Sequence, residues 1–232
     1  VLHPQMPNCV VQNWRGATSR DRALALSRPV LVSGPYYLDL HYPADVHYGF
    51  DPEAQQSQWL AQEDALQQDP RLSHVADGME WTKHWRKDRV DYQGEVRVLG
   101  GEACLWAELV NPDVLSTRLY SRLPAVAERL WSPVSCTDSA SMYRRLQGSW
   151  RSLPEDPEAV ACKKLLAMGF TEAQLGALCL LEPVKWYGRL LGEEALQARL
   201  AGTEMPKARP YHADILLNRV VDFLPPESMP AR

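Results

Sequence analysis

Val96-Arg97-Val98-Leu99-Gly100-Gly101-Glu102-Ala103-Cys104-Leu105-Trp106-Ala107-Glu108 is the stretch on which the reading of this chain turns. Its first four residues alternate with β-branched valines and predict a strand that stops at the paired glycines. Side chains alternate along extended chain, so Glu102, Cys104 and Trp106 are expected to share one face, with Glu108 joining them if the extension persists. An indole beside a carboxylate acceptor suits a pyranose ring, which offers a C–H face for stacking and hydroxyls that donate to charged oxygens. The plainer reading of the same spacing is a buried tryptophan that caps a sheet beside a solvated glutamate.

Downstream, Arg118-Leu119-Tyr120-Ser121-Arg122-Leu123-Pro124-Ala125-Val126-Ala127-Glu128-Arg129-Leu130-Trp131-Ser132 has the apolar period of a helix. Together the two stretches resemble the end of the catalytic barrel of glycoside hydrolase family 20, the β-N-acetylhexosaminidases. The family pattern is a Gly-Gly-Glu-Ala-x-x-Trp strand followed by an Arg-x-x-Ala-x-Ala-Glu-Arg-x-Trp helix. Here Arg122, Ala125, Ala127, Glu128, Arg129 and Trp131 supply the second half. Two linked motifs in order are far more specific than either alone.

Upstream residues extend the resemblance. Cys9 to Gly16 is similar to the family's sixth barrel strand, ending in Trp14, and Pro29 to Asp39 to the seventh, ending in Tyr37 and Asp39. Between them, Ser19 to Ser27 carries Ala and Leu at helical spacing. The expected order is strand, helix, strand, a longer excursion, strand, helix, as in parallel βα units whose polar and aromatic candidates fall at strand carboxyl ends. The resemblance covers Val1 to Trp150. The expected fold is α/β: the second part of a (β/α)₈ TIM barrel, strands six to eight, over residues 1–152. A mostly helical extension of the kind found in bacterial members is expected over 153–232. In that extension, Ala159, Cys162, Leu165 and Leu166 form an amphipathic pattern, Thr171 to Leu181 another, and Glu182 to Tyr187 precedes a Pro-rich close from Pro206 to Pro230.

The resemblance implies hydrolysis of terminal, non-reducing β-linked N-acetylglucosamine or N-acetylgalactosamine. In this family the substrate's own acetamide oxygen attacks the anomeric carbon, an Asp orients it, and an adjacent Glu serves as acid and then base. That Asp-Glu pair usually lies in a His-x-Gly-Gly-Asp-Glu segment, and none occurs in these 232 residues. Glu63-Asp64 lies in a Gln-rich stretch that reads as an exposed helix. The chain is therefore expected to hold the sugar-binding half of a site, as a fragment or as one chain of a processed enzyme.

The implied site residues follow the motifs. Tyr37 matches the tyrosine that positions the acetamide oxygen and is the catalytic candidate. Trp14 and Trp106 match two walls of the box around the acetamide methyl. Asp39 and Glu108 match the carboxylates that hold the outer hydroxyls, and their charge disfavours 6-sulfated sugars. The family more often has Trp-Gly-Glu where this chain has Trp106-Ala107-Glu108, and Tyr36 and Leu40 replace the Trp and Arg of some animal enzymes. Glu102 is expected to be a structural acceptor, and Glu128 with Arg129 a helix–barrel salt bridge. His41 and His47, in the loop after the seventh strand, are either substrate contacts or solvated or structural side chains.

No cofactor or metal is implied. The expected partners are an N-acetylhexosamine-terminated glycan and the N-terminal half of the same enzyme, with room for a homo-oligomer. Family analogy favours a periplasmic or secreted location. Net charge of −4 without a basic cluster argues against nucleic acid, and no apolar run approaches the roughly 18 residues of a membrane span. Five cysteines without a CxxC pair disfavour a zinc or redox motif. Cys9 and Cys104 read as small core residues, and Cys136 is the candidate partner of Cys162 or Cys179 in a disulfide. Trp81 and Trp85 read as a packed helix face. Two other functions fit parts of the pattern: a non-catalytic carbohydrate-binding fragment, and a different barrel glycosidase using Asp39 and Glu108 as its acidic pair.

Overall fold

The computed structural model describes residues 3, 5, 7–71, 90–181, 201–203 and 216–227. The Trp81/Trp85 pair, the Glu182 to Tyr187 motif and the residues Pro206, Pro210 and Pro230 lie outside them.

Three short strands, β1 (Val11–Asn13), β2 (Val30–Val32) and β3 (Gly100–Gly101), form a parallel sheet in the order β1-β2-β3. The register sets Val11 against Val30 and Leu31 against Gly100. A parallel neighbour demands a crossover, and α1 (Ala17–Ala25) supplies it between β1 and β2. Its C-terminal turn closes as a Schellman motif. Ser27 takes the left-handed position (φ 53°), with Ser27 N–H donating to Leu24 O and Arg28 N–H to Ala23 O.

Between β2 and β3 the chain makes α2 (Ala44–Tyr48) and α3 (Gln56–Gln68). Buried polar groups join α1 to α3: Arg20 Nε bonds Asp21 at 2.8 Å, Gln56 Nε2 donates to the same carboxylate at 2.8 Å, and the Arg20 guanidinium lies over Trp59 at 4.9 Å. Pairing and hydrogen bonding these buried charges offsets their desolvation. The sheet's apolar residues Val30 and Val32 pack with Tyr36, Leu38, Val46, Phe50, Trp59 and Val126.

The predicted strand over Val96–Leu99 is not in the ladder, which begins one step later. β2 offers only three rows before Pro29 and the turn ahead of it, so Leu99 contributes a single N–H bond to Val30 O and the ladder then runs through the glycines. Gly100 has φ +136°, a backbone that only glycine adopts without strain. A Cβ on Gly101 would meet Leu130 Cδ2 at 2.6 Å, Tyr36 Cε2 at 3.0 Å and Val32 O at 3.2 Å. The helix bearing Leu130 therefore packs directly on bare backbone. Gly101→Ala is expected to destabilise the fold by about 1–3 kcal/mol in denaturant unfolding, the usual cost of overpacking, and an unchanged midpoint would contradict this packing.

The single helix expected over Arg118–Ser132 is two. α4 (Leu115–Tyr120) ends at Ser121–Arg122, and α5 (Leu123–Trp131) begins with Pro124 near its first position. Proline lacks the N–H and crowds the carbonyl four residues back, which forbids a continuous helix there but suits a first turn. Three capped helices follow: α6 (Ser139–Trp150) behind Asp138, α7 (Pro157–Ala167) behind Asp156, and α8 (Glu172–Cys179) behind a Thr171/Gln174 capping box. A one-turn helix α9 (Val220–Phe223) lies in the last described segment.

Glu128 and Arg129 make two separate ties. Glu128 accepts from Arg145 Nη2 at 2.5 Å and Tyr48 Oη at 2.7 Å, whereas Arg129 lies 3.4 Å from Asp51 and donates to the carbonyls of Ser132, Pro133 and Cys136. All five cysteines are free thiols. Cys136 is exposed and pairs with neither expected partner, while Cys162 and Cys179 adjoin each other across α7 and α8, their thiols pushed up by burial. Among the described residues no helix is long and apolar enough to cross a membrane, and no group of three or more metal-ligating side chains converges.

Candidate functional site

The ends of the three strands bring together the residues picked out from sequence. After β1 the chain reaches Trp14, 48% exposed, with the Arg15 guanidinium 4.4 Å from its ring centroid. Beyond β2, a turn at Ser33–Pro35 redirects the chain. It then runs beside the residues that follow β3: Cys104 N–H donates to Tyr36 O at 2.9 Å and Leu38 N–H to Cys104 O at 2.7 Å, a parallel bridge between Tyr37 and Cys104. That bridge places Tyr37 and Trp106 edge to face, ring centroids 6.2 Å apart at 89°. Tyr37 Oη donates to Trp14 O at 3.3 Å, so one hydroxyl spans from the β2 loop to the β1 end.

Trp106 is 51% exposed. The Tyr37 ring thus lies against one half-exposed indole, Trp106, and its hydroxyl reaches the backbone of the residue bearing the other, Trp14. Burial, with Cys104, Asp39 and Glu102 nearby, pushes the Tyr37 phenol up to about 12, so it remains a donor throughout the working range.

Asp39 is the most perturbed carboxylate here. It is 7% exposed, and its Oδ1 has no hydrogen-bond partner among the described residues. Burial pushes it up to about 6, its own and the Trp106 backbone N–H groups and the Arg122 guanidinium pull it down, and Glu108 adds repulsion. A buried carboxylate oxygen without a donor is poised for one that arrives with a ligand. Glu108 is half-buried and is presented by a one-turn 3₁₀ helix, Ala107–Leu109, because the extended run ends at Trp106.

Glu102 accepts from Ser33 Oγ at 2.6 Å and from Gln12 Nε2, cross-linking the ends of all three strands as an internal acceptor. His41 and His47 are both buried, 3% and 1% exposed, and so are not solvated. His47 Nδ1 lies 2.6 Å from Pro35 O, and desolvation lowers its imidazole to about 3, leaving it neutral. Tyr36 Oη donates to Phe50 O at 2.9 Å inside the core. His74, His84 and His212 lie outside the described residues.

Sequence reasoning gave no role to Arg118 and Arg122, both fully buried behind the Tyr37–Asp39 loop. For Arg122 a signal was available: it stands two residues ahead of Pro124, at the start of a helix with an apolar side to bury.

The sequence profile of the glycosyl hydrolase family 20 catalytic domain matches residues 2–134. With more than half of its length inside that match, the chain belongs to glycosyl hydrolase family 20. It is 29% identical over 148 residues to the β-hexosaminidase subunit β of the cat, covering 61% of this chain and 22% of that protein. It is 30% identical over 148 residues to the pig subunit β, with the same coverage of 61% and 22%. The mouse β-hexosaminidase subunit α is 37% identical over 79 residues, 32% of this chain and 15% of that protein. The matched part thus spans about a fifth of the length of the first of these relatives. Among solved structures, the X-ray structure of Flavobacterium johnsoniae chitobiase aligns over 95% of this chain and 28% of that one, at 23% identity and a TM-score of 0.48.

Proposed function

We propose that this chain supplies the sugar-binding face of a β-N-acetylhexosaminidase, which removes terminal β-linked N-acetylglucosamine or N-acetylgalactosamine by substrate-assisted, retaining hydrolysis. In this reading β1, β2 and β3 are the sixth to eighth strands of a (β/α)₈ barrel, residues 1–152 form its last part, and 153–232 are a helical extension packed against it. β1 and β3 each pair on one side only among the described residues, which calls for further strands from the N-terminal half of the same enzyme.

The observation that carries the reading is the convergence of Tyr37, Trp14, Trp106 and the donor-poor Asp39 carboxylate at one end of three parallel strands. Trp14 and Trp106 form an apolar slot for the acetamide methyl. Tyr37 donates its hydroxyl to the acetamide oxygen and holds it for attack on the anomeric carbon, a proximity effect. Asp39 and Glu108 accept from the outer hydroxyls. The acid–base carboxylates belong to strands outside this chain.

The test is substrate discrimination by the protein at its natural length. It is expected to cleave a chromogenic β-N-acetylglucosaminide and to leave the matching β-glucoside nearly untouched. Trp106→Ala is expected to raise KM about tenfold with a smaller change in kcat and to erode that preference, as loss of one wall of an apolar pocket costs about 1–3 kcal/mol. Equal rates on both glycosides before mutation would refute the acetamide slot.

A further inference from the structure

Arg122 sits at the break between α4 and α5 with no exposed surface. Its Nη1 donates to Leu40 O and, at 3.0 Å, to Tyr42 O, and its Nη2 to Leu38 O and, at 3.1 Å, to Arg118 O. Three of these four carbonyls belong to the segment that follows Tyr37 and contains Asp39. A guanidinium presents its donors in a rigid planar fork, so one side chain fixes the path of that whole segment.

Neutral carbonyls take the two terminal nitrogens, leaving Nε without a hydrogen-bond partner among the described residues, and they do nothing to neutralise the charge. A buried cation also needs carboxylates, and those facing Arg122 are Asp39 and Glu227, opposed by Arg118. Glu227 is 1% exposed and comes from the last described segment, where its carboxylate accepts the N–H of Ala44 at the start of α2. Asp222 in the same segment is 2% exposed, and its carbonyl accepts from Arg118 Nη2 at 3.2 Å. The C-terminal segment thus reaches the back of the loop whose front carries the site.

We propose that Arg122 is a positioning residue for the sugar-binding face and Glu227 its charge partner: the guanidinium fixes the backbone that presents Tyr37 and Asp39, and the C-terminal segment tempers the positive charge that Asp39 feels. The inference rests on the functional reading above and extends it to residues that never touch the sugar. The groups facing Asp39 are Tyr37 on its own loop, Cys104 after β3, Glu108 on the 3₁₀ turn and Arg122 behind it. Those facing Arg122 are Asp39, Glu227, Arg118, Tyr143 on α6, and the buried imidazoles His41 and His47.

Two variants in the protein at its natural length separate positioning from bulk stability, with melting temperature recorded for each. Glu227→Gln keeps the shape and an acceptor oxygen for Ala44 but removes a negative charge facing Arg122. Ionised Asp39 then meets a less tempered guanidinium, so the acid-side rise of KM for a β-N-acetylglucosaminide moves to lower pH. Arg122→Lys keeps the charge but loses the fork, so kcat/KM falls at least about tenfold while the position of that KM limb is retained. A Glu227→Gln limb that stays in place or moves to higher pH overturns the proposal, as does Arg122→Lys with wild-type kcat/KM. If Arg122→Lys does not fold, the direction of the Glu227→Gln shift decides alone. A wild-type protein inactive on the glycoside overturns the functional reading itself, whereas an active wild type with unresponsive variants overturns only the role of Arg122 and Glu227.

Discussion

Tyr37→Phe is expected to lower kcat roughly a hundredfold with little change in KM, since a positioned donor whose contact tightens as charge develops is worth on the order of 3 kcal/mol. The hydroxyl donates to Trp14 O at 3.3 Å in the free chain, a long bond that a closer acceptor can replace. Removing it leaves the ring and its edge-to-face packing on Trp106 intact, so the slot keeps its shape and binding survives. The phenol is pushed up to about 12, so the deficit should be the same across the acidic and neutral range and should not be recovered by changing pH. Steady-state kinetics of the natural-length protein decide this: an unchanged kcat removes Tyr37 from the reacting atoms, and an effect on KM alone makes it a mere wall of the pocket.

Asp39→Asn should produce opposite changes in binding and stability. As a charged acceptor for sugar hydroxyls, Asp39 contributes about 1.5–3 kcal/mol to binding, so Asn should raise KM about tenfold or more. Its carboxyl is pushed from an ordinary value near 3.8 up to about 6, chiefly by burial. Between those two values the unfolded chain is ionised while the folded one holds its proton. Folding stability is therefore lost as pH rises from about 4 to about 6 and stays lower above, by as much as roughly 3 kcal/mol. Asn has no proton to lose and should abolish that decline, melting higher than wild type at neutral pH despite weaker binding. The same titration predicts that the wild-type KM rises as pH falls through about 6. A variant that melts lower at neutral pH and at pH 4 alike would show that Asp39 holds the fold together and is not a strained, ligand-directed carboxylate.

The parts of this arrangement that could be read from sequence are those set by local pattern. β-branched runs ending in Trp14, Tyr37 and the Gly100-Gly101 pair marked three strand ends, and apolar spacing marked the helix between the first two. Pairing was less legible: how much of Val96–Leu99 joins the ladder depends on how many rows β2 offers, a property of a segment far away in sequence. The division of α4 from α5 was in plain view at Pro124, but the apolar period running through it was the stronger signal and masked the break. Glu108 lost its place on the extended face for a similar reason, since nothing in Trp106-Ala107-Glu108 announces a 3₁₀ turn.

The deeper gap concerns charge inside the fold. Arg118, Arg122, His41 and His47 are hydrophilic by type and buried in fact, and only the tertiary path of the Leu38–Tyr42 segment and the return of residues 216–227 bring them their neighbours. The proposed disulfide failed for a related reason: cysteine spacing carries no information on which helices pack, and it is α7 and α8, not the turn at Cys136, that bring two thiols together.

The most direct measurement is a crystal structure of the natural-length protein with N-acetylglucosamine. The sugar is expected on the open face at the strand ends, its acetamide methyl within about 4 Å of Trp14 and Trp106, its acetamide oxygen accepting from Tyr37, and outer hydroxyls donating to Asp39 and Glu108. A sugar bound with its acetamide away from the two indoles, or with Asp39 or Glu108 at the anomeric carbon, would contradict the account and place the catalytic carboxylates within this chain.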